Sequence, residues 1–91
     1  MAIDTTAMVI MRRLLHVLRY LSNAPNDAGA YECATKVKYA VLLTKYLNLI
    51  ENTPIAKNFK KEIAEAHEKL DWLLLDEEVL NQFIILEVMS A

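Results

Sequence analysis

Three observations predict an all-α fold. The chain has one Gly and two Pro in 91 residues. Its apolar residues recur at spacings of three and four rather than two, and its few breakers cut it into segments of helical length. The expected architecture is a small antiparallel helical bundle of three to four helices in a single domain, residues 1–91, with helices at about 5–22, 28–51, 54–74 and 77–89.

The first helix has Asp4 placed as N-cap and Ile3 opposite Met8 as a hydrophobic staple. Ala7, Met11, Leu14, Leu18 and Leu21 then mark one apolar face, while Arg12, His16, Arg19 and Asn23 line another. This helix is amphipathic and basic.

The segment "NAPNDAG", 23–29, is the strongest turn signal: Pro25 restricts the backbone, and Asn26 or Asp27 can cap the next helix. The second helix gains a Glu32 to Lys36 pair at the favourable spacing of four. Its second half, "YAVLLTKYLNLI", is apolar nearly all round, with Lys38, Thr44, Lys45, Asn48 and Asn52 as a single polar strip. Such a helix belongs at the centre of a bundle.

The third helix is expected to start with Thr53 as cap and Pro54 in the first helical position, where a missing N–H costs nothing. Ile55, Phe59, Ile63, Ala66, Leu70 and Leu73 form its apolar face. Asp76 is placed to cap a fourth helix, with Leu75 against Leu80 as staple and Glu77 and Glu78 at the positive end of the helix dipole. No Gly or Pro separates the third helix from the fourth, so one continuous helix over 54–89 is the alternative.

At 55 %, the share of hydrophobic residues is high for a soluble domain. Charges nonetheless interrupt every apolar run before the roughly 18 residues a spanning helix needs, so no membrane partner is expected. Acid precedes the first apolar stretch and arginines come after it, the reverse of a secretory signal, and Cys33 has no internal disulfide partner. A cytoplasmic location is the expectation, with Cys33 serving as a buried small hydrophobe.

The excess apolar surface collects in "DWLLLDEEVLNQFIILEVMSA", 71–91. Val79, Leu80, Phe83, Ile84 and Leu86 suit an ordinary core face. Ile85 and Val88 fall instead on the side of Glu78 and Asn81, and Trp72 falls on the side of Glu65 and Glu68. One small core cannot cover both sides, and buried aromatic and apolar side chains often anchor interfaces. Trp72, Phe83, Ile85, Val88 and Met89 are therefore the candidate protein interface. Its expected partner is a second copy of the chain, in a homo-oligomer, or another protein. The corresponding function is a non-enzymatic interaction module, an adaptor, regulator or inhibitor.

No motif for chemistry is complete. Gly29 stands alone, so there is no glycine-rich phosphate loop. His67 and Glu68 begin an H-E-x-x-H pattern, but Asp71 occupies the place of the second histidine. Glu62, Glu65, Glu68 and Asp71 share one side of the third helix, interleaved with Lys61 and Lys69 as an ion-paired solvated face. No catalytic residue, cofactor or metal is expected.

A second surface is electrostatic. Residues 1–50 carry six Lys/Arg against three acids, a balance of +3, whereas residues 51–91 carry four lysines against nine acids, a balance of −5. Arg12, His16 and Arg19 on the first helix and Lys38 and Lys45 on the second would form a basic strip if the two helices pair as a hairpin. That strip is the candidate anion site, for a nucleotide or a single-stranded nucleic acid.

Overall fold

In the computed structural model, which describes residues 5–22 and 32–90, the chain is an all-α bundle, and the described residues form four α-helices and one short 3-10 helix. Helix α1 spans Thr5–Ser22, α2 Cys33–Ile50, α3 Lys60–Leu74 and α4 Glu77–Ser90, with the 3-10 segment at Pro54–Asn58 between α2 and α3. The expected cap and staple at Asp4 and Ile3, and the turn at 23–29, lie outside the described residues.

The core coincides with the apolar stripes. Ala7, Met11, Leu14, Leu18 and Leu21 of α1 are buried, joined by Val17. They meet Val37, Ala40, Leu43, Leu47 and Ile50 of α2, with Ala66 and Leu73 of α3 and Val79 of α4 completing the buried set. The other apolar residues expected in the third helix, Ile55, Phe59, Ile63 and Leu70, are partly buried against this cluster. Helix α2 is central, packing against α1, α3 and α4.

Side-chain pairs set the directions. The Tyr20 and Tyr39 rings lie 5.1 Å apart, bringing the end of α1 beside the early turns of α2. His67 bonds Glu51, and Lys36 pairs with Asp76, so α3 runs antiparallel to α2. Asp76 starts α4 at the Lys36 level, and Glu87 shares a groove with Val41, Thr44, Lys45 and Asn48. Helix α4 therefore runs parallel to α2 and antiparallel to α3.

Two boundaries differ from the sequence reading. Glu32 is extended, with φ −66° and ψ 153°, so α2 begins at Cys33 rather than near 28. Lys36, expected to pair with Glu32 one turn back, reaches across the fold to Asp76 instead.

The segment 54–74 is likewise not one helix. Phe59, at φ −128° and ψ 32°, separates the 3-10 turn from α3, and its carbonyl accepts the N–H of Ile63 at 2.9 Å to begin the α-helix. Thr53 does not cap forward: its hydroxyl donates back to the Ile50 carbonyl at 2.7 Å. With Asn52 Nδ2 on the Asn48 carbonyl, it brings side-chain donors to two carbonyls at the end of α2.

Helices α3 and α4 are separate, which resolves the alternative of one long helix. Asp76 Oδ1 accepts the N–H groups of Glu78 at 3.0 Å and Val79 at 3.4 Å, an N-cap in the expected place. The break needs no positive φ; Leu75 remains near helical dihedrals, at φ −64° and ψ −28°. The staple does not form, because Leu75 is 80 % exposed.

Candidate interaction surface

Helix α4 changes character along its length. Its first turn carries Glu77 and Glu78 outward and buries Val79. Leu80 and Phe83 are half-buried. From 84 to 89 every residue is exposed. Ile84 is 49 % exposed, Ile85 58 %, Val88 69 % and Met89 78 %.

Ile84 and Leu86, expected in the core, are thus both exposed. They sit two residues apart, about 200° round the helix. The α2 groove at Glu87 covers one side of this end, and one neighbouring helix cannot cover both residues. The outward side grades from acid through amide (Asn81, Gln82) to bare apolar side chains within fourteen residues.

The five candidate interface residues do not form one patch. Ile85, Val88 and Met89 lie together on the exposed end, and Phe83 sits at its base, packed against the core. Trp72 lies at the α3–α4 corner, at the other end of α4, roughly 18 Å away by helical rise. There it packs on the core, with Lys69 Nζ 6.0 Å from its ring centroid. Trp72 and exposed Leu75 line a cleft of about 310 Å³ with Lys36 and Asp76. Sequence reasoning missed Leu75, because an apolar residue before an N-cap suggests a staple, and whether one forms depends on the angle between the helices.

The basic residues Arg12, His16, Arg19, Lys38 and Lys45 are all exposed. Tyr20 marks the side of α1 that meets α2, and Arg19 precedes it by one residue, about 100° round the helix. Lys38 likewise precedes Tyr39, holding its ammonium 5.8 Å from that ring's centroid, and Lys45 borders α4 at Glu87. His16, one turn before Tyr20, and Lys38, over the Tyr39 ring, thus lie beside the α1–α2 seam, while Lys45 lies toward α4.

No protein family, curated protein or solved structure matches this chain.

Two further clusters complete the chemistry. At the start of α2, Cys33 is half-buried rather than buried. Desolvation first, then the Glu78 and Asp76 carboxylates, push its thiol above the ordinary value of 9.0, with Lys36 opposing. A helix N-terminus normally favours the thiolate; here the acids of α4 work the other way. Asp76 is held below its ordinary 3.8, first by the Val79 N–H, then by the Glu78 N–H and Lys36, against the cost of desolvation.

At the far end, His67 Nε2 meets Glu51 Oε1 at 2.5 Å beside a broad groove of about 410 Å³ containing Lys57, Lys60 and Ile63. Among the described residues no three His, Cys, Asp or Glu side chains converge as metal ligands, and no helix is long and apolar enough to cross a membrane.

Proposed function

We propose that the protein is a non-enzymatic interaction module that self-associates through the exposed end of α4. One observation carries this reading: Ile84, Ile85, Val88 and Met89, neighbours on one helix face, are each about half to three-quarters exposed. Together they present roughly 500 Å² of apolar surface, the size at which a patch on a soluble protein tends to be a contact site. Helix energetics point the same way. Short helices are marginal in water without tertiary packing, and the last two turns of α4 have little of it. A docked partner would supply what the monomer core does not.

Ile85→Asp combined with Val88→Asp tests the reading. Both side chains point outward, so the double variant is expected to keep its helical circular dichroism while its solution mass falls to that of one chain. An unchanged mass, or loss of helicity, would place the contact elsewhere or these residues in the core.

A further inference from the structure

The direction of pairing is written in the charge gradient of α4. We infer that two copies meet through their α4 helices in antiparallel orientation, overlapping only in the last two turns. This deepens the self-association proposed above and rests on it.

The outward seam of α4 runs Glu78, Asn81, Ile85, Val88, at spacings of three, four and three, the repeat of a helix–helix seam. Ile84 flanks it on one side and Met89 on the other. A parallel, in-register pair would place Glu78 against Glu78 and Asn81 against Asn81 of the second copy. The two glutamates would then repel, with both negative helix ends side by side.

An antiparallel pair whose twofold axis passes between Ile85 and Val88 avoids this. Each Ile85 then packs at the level of the other copy's Val88, and the two Glu78 side chains lie about 25 Å apart along the axis. The helix dipoles oppose and attract. The same patch serves both copies, as twofold symmetry requires. Covered completely, two such patches would remove roughly 1,000 Å² of surface, the size of a weak, reversible interface.

Disulfide trapping tests the direction. In a Cys33→Ser background, Ile85→Cys, Val88→Cys and Asn81→Cys are made singly and oxidised mildly at concentrations where light scattering shows the dimer. Ile85→Cys mixed with Val88→Cys is expected to give a linked dimer. Asn81→Cys alone is expected to give none, because its two copies lie about 16 Å apart along the axis, beyond disulfide reach.

As a second readout, Glu78→Gln is expected to leave the dimer dissociation constant within about twofold, since the two carboxylates do not meet. Linking of Asn81→Cys to itself as readily as the mixed pair, with tightening by Glu78→Gln, would establish a parallel pair and overturn the inference while leaving self-association intact. A dimer that none of the three positions traps would overturn it too. A chain monomeric at every concentration would remove both the inference and the reading beneath it.

Discussion

Lys36 and Asp76, forty residues apart, meet with Nζ 3.5 Å from Oδ2, while the other oxygen of Asp76 caps α4. One carboxylate thus fixes where α4 begins and ties that point to the first turn of the central helix. Lys36 is the one buried charged side chain of the described core, 7 % exposed, whereas the Asp76 side chain is 41 % exposed.

The asymmetry in burial predicts an asymmetry in mutation. Asp76→Ala removes the cap and leaves a buried ammonium without its partner, so the melting temperature is expected to fall by several degrees. Lys36→Met keeps the apolar stem and leaves a carboxylate that water can reach, so stability should stay within about 1 kcal/mol of the unmodified protein. Thermal unfolding of both variants checks this. A larger loss for Lys36→Met would make the ion pair, not the cap, the main tie.

Acid should loosen the same joint. Asp76 titrates below its ordinary 3.8 in the folded chain, so the folded state binds its proton less readily than the unfolded state. Its contribution to stability is present above pH ~3.8 and is lost as pH falls through the folded value. Urea midpoints at pH 5 and pH 2.5 should differ less in Asp76→Asn, which still caps but does not titrate. An equal fall in both proteins would assign the acid sensitivity to other carboxylates.

Cys33 should be sluggish toward alkylation. Desolvation and the neighbouring acids keep it protonated, and the thiolate is the reactive form. Iodoacetamide at pH 8 is expected to modify it more slowly than a free peptide thiol, and Glu78→Gln should speed the reaction. A native rate equal to the peptide's would contradict this environment.

Burial separates core from surface in the same way. Leu43 is fully buried in α2, and Leu43→Ala is expected to cost about 2–5 kcal/mol in urea unfolding. Ile85→Ala, measured at concentrations too low for association, should change stability by no more than about 0.5 kcal/mol. Comparable losses would mean that α4 packs inward at its end.

Much of this fold was legible in the sequence because helical periodicity and capping are local. The α1 stripe, the all-round apolar α2 and the Asp76 cap are consequences of spacing and residue type alone. What was not legible depends on geometry between elements. The break at Phe59 carries no Gly or Pro, and Thr53 could cap forward or bond backward with equal local chemistry. The exposure of Leu75, Ile84 and Leu86 is set by how far α2 and α3 accompany α4. The apolar excess at 84–89 was visible as composition, but its separation from Trp72 was not. How near the hairpin of α1 and α2 brings the two basic strips depends on the rotation of each helix about its own axis, which local spacing does not fix.

The most direct measurement is the solution mass of the unmodified chain, by light scattering on a sizing column over a range of concentrations. Self-association through α4 predicts a species of twice the 10.4 kDa chain mass, or a higher multiple, whose share grows with concentration. Invariant 10.4 kDa particles at every concentration would contradict it.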